Sequence, residues 1–471
     1  MTDNFLSGSS AGPGAGLTGA FVRNVVHPLW ASRTHPAYAR YLREFERNQF
    51  LDPEELRKLQ MQRLRQQLVY AFRYVPFYRL RMTEAGLTPL DIQTHDDLRL
   101  LPVLTKRDIL DHQDLLVSSD VPASRRVRNQ TGGSTGSPIQ FYVDKERSDS
   151  RLASTARHDG WAGLRPGDWY AHLWGSRYNS ADKPDAHPGW RQKLLHRNLT
   201  LHPAALSDES MWQFVEVLRT YRPRHLVAYA QSATLFAEFC QTNQVRDIAF
   251  ASMIVSAEML QPGQRAALES TFGGRVFNRY GCSEVSVIAS ECEFHSGMHT
   301  NADALLVEVE AAPHLPAGTG RVLVTDLLNR SMPLLRYELG DLASLAVDGP
   351  CPCGRSLPLM GNIKGRLSDV LHWSSGRMVA IPSLARLAAD MREVRQVQFL
   401  QLDPQHVTLK VVAGTGYCDH TEKELQRRMQ PHFERQPNLT IVTTDSIPPE
   451  NSEKHKFGKK SDEQVAISTA I

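Results

Sequence analysis

The 471-residue chain has few cysteines, no long apolar run and almost no net charge. No stretch approaches the roughly 18 consecutive apolar residues of a membrane-spanning helix. The formal charge is +3 and no Lys/Arg run forms a basic tail, so nothing asks for a nucleic-acid partner. The N-terminus lacks the positive-then-apolar pattern of a secretory signal, and a cytoplasmic location is expected. In that compartment the six cysteines read as reduced thiols or metal ligands rather than disulfides. There is no internal repeat. Low complexity is confined to the start of the chain, where Ser7-Gly8-Ser9-Ser10-Ala11-Gly12-Pro13 predicts a disordered tail over 1–19.

What is present is globular: 41% hydrophobic and 22% charged residues. The length calls for roughly two or more domains. Phe21 to Trp30 is amphipathic and predicts a segment packed on the fold, with a membrane-surface role as the alternative. Residues 35–95 read as helical. Glu54 to Tyr70 has apolar residues at helical spacing, and Val75-Pro76 ends the run because proline restricts the residue before it. From about 120 to 345 short β-rich segments alternate with helical ones. His225–Tyr229, Met253–Val255 and Arg321–Thr325 are examples, and the alternation predicts an α/β domain with a parallel sheet. Past Gly361–Arg366 the pattern changes to strands (Val397–Leu402, His406–Val412) and a helix (Thr421–Met429). That is a small α+β domain, joined through a linker at Lys364–Asp369.

The most informative stretch is Gln130-Thr131-Gly132-Gly133-Ser134-Thr135-Gly136-Ser137-Pro138. Three glycines let backbone N–H groups approach a ligand, and the hydroxyls add donors, so the loop suits a polyanion such as nucleotide phosphate. The bland reading is a Ser/Gly-rich turn. It is not a Walker A loop, because no Lys-Ser or Lys-Thr follows the last glycine. Gly132–Gly136 spells a nucleophile elbow, but the apolar strand an elbow needs is absent before it. Further on, Asn278-Arg279-Tyr280-Gly281-Cys282-Ser283-Glu284 pairs an aromatic that can stack on a base with a carboxylate that can hold a divalent cation. Gly340-Asp341 offers a carboxylate after a tight turn, suited to ribose hydroxyls. Gly365-Arg366 falls at the junction, and Gly458-Lys459 places a lysine on a turn near the C-terminus. Each alone has an ordinary structural alternative: a strand end, a strand turn, a polar linker, a solvated basic tail.

The order of these motifs resembles the adenylate-forming superfamily of acyl- and aryl-CoA synthetases. Val75-Pro76-Phe77-Tyr78 and Leu101-Pro102-Val103-Leu104-Thr105-Lys106 resemble its phenylacetate–CoA ligase and CapK-like branch. The resemblance implies a large N-terminal domain over 20–365, with β-sheets flanked by helices, and a small mobile domain over 366–471. It implies that a carboxylic acid, aryl or acyl, reacts with ATP to give an acyl-adenylate and pyrophosphate, and that the acyl group passes to CoA. The alternative acceptor is an amine, including an amino sugar, or a carrier-protein thiol. By the same resemblance Thr131, Gly132, Gly133, Ser134, Thr135 and Gly136 hold the β- and γ-phosphates. Ser256, Ala257 and Glu258 border the adenine; Tyr280 and Gly281 lie against it. Asp341 binds ribose, Glu284 holds Mg²⁺, Arg366 steadies the ribose or the junction, and Lys459 bridges the carboxylate and the α-phosphate. His172, Trp174 and Tyr229 are the acyl-pocket candidates. The usual hinge aspartate is replaced by Ser368, with Asp369 next, so the pivot is left open. The long N-terminal helical region is compatible with a homodimer.

A second constellation comes from the cysteines. Cys292, His299, Cys351 and Cys353 would give three thiols and one imidazole, a closed tetrahedral set for structural zinc, with His295 competing with His299. The alternative is reduced side chains that merely pack.

Overall fold

The structure is a computed structural model. It describes residues 17–130, 139–174, 195, 197–201, 207–311, 315, 318–345, 349–366, 370–372, 378–381, 384, 387–388, 391, 393–403, 406–429, 438–447 and 458–460. The expected tail over 1–16 lies outside these residues, whereas Leu17 already opens a helix, Leu17–Phe21. The chain divides into two compact units. One comprises Met1–Arg47, Ser148–Tyr280 and Ser290–His295; the other comprises Asn48–Arg147, Gly281–Ala289 and Ser296–Ile471. No helix among the described residues is long and apolar enough to cross a membrane.

The first unit is built on parallel strands in the order Asn198–Leu201, Tyr170–Leu173, His225–Tyr229, Ser252–Ser256 and Arg275–Cys282. Helices Asp208–Tyr221, Ala230–Thr242 and Pro262–Phe272 connect them. Every residue of Ser252–Ser256 is buried, as a central parallel strand covered on both faces requires. One face carries the core of Ala171, Leu173, Leu226, Ala228, Met253, Val255, Phe214, Phe236 and Phe272. The other carries Ala162, Leu164, Ile254 and Phe277. Ligands of such sheets bind beyond the carboxyl ends of the strands, and that is where Trp174, Tyr229, Ser256 and Tyr280 fall.

In the second unit the helix Pro53–Tyr74 follows from its local sequence. Asp52 accepts a hydrogen bond from the Glu54 N–H at 2.8 Å, Pro53 starts the first turn, and Glu54 and Glu55 face the positive end of the helix dipole. Pro76 fixes Val75 in an extended conformation (φ −117°, ψ 105°), which ends the helix. A four-stranded antiparallel sheet follows in the order Leu305–Glu310, Thr319–Asp326, Tyr337–Ser344 and Ile363–Arg366. Of the expected linker, Lys364–Arg366 therefore belong to a strand; residues 367–369 lie outside the described set. Near the C-terminus Asn438–Thr444, His406–Ala413, Val394–Asp403 and Gly458–Lys460 form a further sheet. Its own core includes Phe399, Leu409, Val411, Leu425 and Met429.

One buried ion pair ties the second unit together. Arg147 Nε donates to Asp326 Oδ2 at 2.9 Å, with side chains 0% and 1% exposed. The other Asp326 oxygen accepts from the Leu328 and Asn329 N–H groups. Removing one partner strands a buried charge, which costs about 3–5 kcal/mol. Arg147→Met is expected to lower the urea midpoint accordingly. A midpoint unchanged from the parent would contradict this account of the pair.

Candidate functional site

The sequence-predicted residues of the second unit come together around the strand Tyr337–Ser344. Glu284 sits on the turn after Gly281. A Cβ at Gly281 would stand 2.5 Å from the Ser286 carbonyl oxygen, so only glycine allows the turn to close. The Tyr337 hydroxyl donates to Glu284 Oε1 at 3.1 Å. Burial, and then the charge of Glu284, push the Tyr337 phenol well up, so it remains protonated and serves as a donor. Asp341 and Arg366 are paired across neighbouring strands, and their side chains meet at 3.4 Å. The Lys106 ammonium lies within electrostatic reach of Glu284 and Arg366. Burial lowers it, Glu284 raises it, Arg366 lowers it again, and the balance falls below the ordinary lysine value. Lys106 and Tyr337 were not among the predicted site residues. Lys106 closed the Leu101–Lys106 motif, which was a signal; the cross-strand position of Tyr337 had none. The Cys282 thiol is pushed well above its ordinary value by desolvation and by Glu284 beside it, which leaves it neutral and suited to packing.

In the first unit Ser256 ends a strand and Ala257 takes φ +69°, an uncommon conformation for a residue with a Cβ. Glu258 accepts from the Gln231 N–H at 2.8 Å, in the first turn of the helix Ala230–Thr242, where a carboxylate complements the dipole. The aromatic candidates are contiguous. His172 stacks on Trp174 (5.8 Å between centroids, 7° between planes), and Trp174 meets Tyr229 at 4.5 Å. Burial lowers the His172 imidazole to about 4, so at neutral pH it is an uncharged wall.

Two predicted elements are placed only in part. Strands Arg126–Gln130 and Gln140–Asp144 pair antiparallel up to Gln130 and Gln140, and the loop Thr131–Gly136 between them lies outside the described residues. Lys459 is in the strand Gly458–Lys460, parallel to Phe399–Gln401 and opposite Leu400.

The cysteine constellation is compact. The ligand atoms of Cys292, His299, Cys351 and Cys353 all lie within 4.8 Å of one another. Cys292 follows the strand Ser286–Glu291, His299 is in Met298–Thr300, and the other two sit on a turn closed by Gly354 N–H to the Cys351 carbonyl. His299 Nδ1 pairs with the Leu357 carbonyl at 2.8 Å, which fixes the tautomer and leaves Nε2 as a lone-pair donor, 3.2 Å from Cys353 Sγ. The Phe294 N–H donates to Cys292 Sγ and the Arg355 N–H to Cys353 Sγ. Burial raises the Cys353 thiol, but the Arg355 N–H and guanidinium outweigh it and hold the group below its ordinary value. His295 points elsewhere: it pairs with Glu291 at 3.0 Å and packs on Phe277. The four-residue set fits a tetrahedral N/S metal site.

No family model matches the chain. The fold is similar to the structure of 2-hydroxyisobutyryl-CoA ligase in the postadenylation state in complex with R3-HIB-AMP. The TM-score is 0.71 at 22% identity, covering 90% of this chain and 93% of that one. The two chains thus share one fold. A phenylacetate–coenzyme A ligase from Thermus thermophilus is 30% identical over 331 residues, 68% of this chain and 72% of that protein. CapK of Staphylococcus aureus is 22% identical over 410 residues, 86% and 89% of the two chains. The chain belongs to the phenylacetate–coenzyme A ligase family. It is an AMP-forming acid–thiol ligase: it activates a carboxylic acid with ATP as an acyl-adenylate and transfers the acyl group to coenzyme A.

Proposed function

We propose that the acid is an aryl acid bound along His172, Trp174 and Tyr229, and that Glu284, Lys106, Asp341, Arg366 and Lys459 carry out its activation. The gathering of Glu284, Tyr337, Lys106, Arg366 and Asp341 about one strand is the observation that carries this reading. A carboxylate attacking the α-phosphate brings anions together, so the protein's task is positioning and charge neutralisation. Glu284, oriented by Tyr337, would hold Mg²⁺. The cation would neutralise phosphate charge as pyrophosphate leaves. Lys106 would add a second positive charge on the same side. Asp341 would accept from both ribose hydroxyls, held at the right angle by Arg366. Thr131–Gly136 would hold the departing phosphates, and Ser256–Glu258 with Tyr280 and Gly281 would border the adenine. Lys459 would stand between the substrate carboxylate and the α-phosphate.

The region from 366 onward would act as a small mobile domain on the large one over 20–365, turning between adenylation and thioester formation. The uncharged aromatic wall favours a flat apolar acid over a charged one. Cys292, His299, Cys351 and Cys353 would hold a structural zinc, since four protein ligands leave no open position for catalysis. ATP and coenzyme A as substrates imply a cytoplasmic enzyme.

Asp341→Ala tests the ribose role. Losing a charged hydrogen-bond acceptor is expected to raise the Kd for ATP by about 10- to 100-fold in isothermal titration. An unchanged Kd would remove Asp341 from the nucleotide site.

A further inference from the structure

The sheet face that bears the aromatic wall also bears an ionic pair for which acid activation has no use. The strand register aligns His172, Val227, Ile254 and Phe277 across four strands. Arg279 lies two residues beyond Phe277, so it projects from the same face. Its Nη2 pairs with Asp159 Oδ1 of the helix Lys145–Trp161. The two side chains are 11% and 21% exposed. The Arg279 Nε–H is buried and has no acceptor among the described residues. Tyr170 stands beside both groups. Burial and then the charge of Asp159 push its phenol up to about 12, with Arg279 opposing. From Tyr170 the rings continue to His172 at 5.8 Å and on to Trp174 and Tyr229. Otherwise this face carries the hydrogen-bonded pair His225 and Ser252 towards the start of the strands, and apolar packing by Ala162, Leu164, Val227, Ile254 and Phe277.

A charged pair in such surroundings is a poor packing choice, because apolar residues of the same volume stabilise as well or better. A buried N–H without an acceptor adds a further cost. Both features make sense if a ligand completes the group. Building on the aryl-acid reading above, we propose that Arg279 and Asp159 are the specificity pair of the acyl pocket and select an aromatic acid with a ring hydroxyl. The Arg279 Nε–H donates to the hydroxyl oxygen, and the hydroxyl donates its own proton to the Asp159 carboxylate. An unsubstituted ring leaves the buried donor unmatched. A second carboxylate in that place is repelled by Asp159. Sites built to hydrogen-bond a hydroxyl reject analogues that lack it more strongly than apolar pockets reject a missing methylene.

The test is ATP–pyrophosphate exchange with matched acids: phenylacetate against 3- and 4-hydroxyphenylacetate, and benzoate against 3- and 4-hydroxybenzoate. The unmodified protein is expected to prefer one hydroxylated acid over its parent by about 10-fold or more in kcat/KM, on the hydroxyl-reading argument. Arg279→Met and Asp159→Asn should each bring that ratio towards one, mainly through KM. Equal or better use of the unsubstituted acids by the unmodified protein, which needs no variant to fold, would overturn the proposal while leaving acid activation intact. So would a ratio untouched in two variants that melt like the parent. Absence of exchange with every acid of both sets would overturn the aryl-acid reading and the proposal with it.

Discussion

Replacing Lys459 by alanine is expected to cut acid-dependent ATP–pyrophosphate exchange by about 100- to 1000-fold, the usual cost of removing one preorganised charge-stabilising donor. The attacking carboxylate and the α-phosphate are both anionic. In the proposed role the Lys459 ammonium would stand between them and turn a repulsion into two attractions, in a setting where charges act more strongly than in water. The fold should survive the change. The strand Gly458–Lys460 is held by backbone pairing with Phe399–Gln401, and the nearby core of Phe399, Leu409 and Leu425 is made by other residues. Exchange kinetics and a melting curve on the same preparation separate the two effects. Undiminished exchange would take Lys459 out of the chemistry.

Removal of the proposed zinc is expected to produce the largest loss of stability. Structural zinc sites contribute about 10–16 kcal/mol of apparent binding free energy in small zinc-finger peptides. This chain has other cores, so a smaller share should appear as a fall in melting temperature of at least about 5 °C after chelation, on the usual relation between stability and midpoint. Metal analysis should find one zinc per chain. Cys351→Ser and His299→Ala should lose it. His295→Ala should keep it, because His295 is engaged with Glu291 rather than with the thiols. Zinc lost from His295→Ala but retained in His299→Ala would reverse the ligand assignment. No zinc and an unchanged melting curve would remove the site.

Much of the fold was legible because its signals are local. The helix Pro53–Tyr74 announces itself through the helical spacing of apolar residues over Glu54–Tyr70 and through Pro76, and the strands His225–Tyr229 and Ser252–Ser256 through short apolar runs. The clustering of Cys292, His299, Cys351 and Cys353 was legible because Cys-x-Cys-Gly is a local turn, whereas the Leu357 carbonyl that orients the His299 ring had no local signal. The other candidate site residues were expected from the order of their motifs, and the structure brings Glu284, Asp341 and Arg366 close to the strand Tyr337–Ser344. What stayed hidden is what depends on partners distant in sequence. Nothing near Lys106 foretells Glu284 as its neighbour. Nothing near Arg147 foretells Asp326, 179 residues away. Nothing near Arg279 foretells Asp159, 120 residues away. The linker at Lys364–Asp369 looked polar and loose because only pairing with the strand Tyr337–Ser344 makes Lys364–Arg366 a strand.

Acid activation is expected to pass through an adenylate formed before any thiol is engaged. The most direct measurement is exchange of labelled pyrophosphate into ATP by the full chain, with and without acid, in the absence of coenzyme A. Exchange that requires both Mg²⁺ and an aromatic acid, with AMP released once coenzyme A is added, is the predicted result. No exchange with any acid, or release of ADP and phosphate in place of AMP and pyrophosphate, would contradict it.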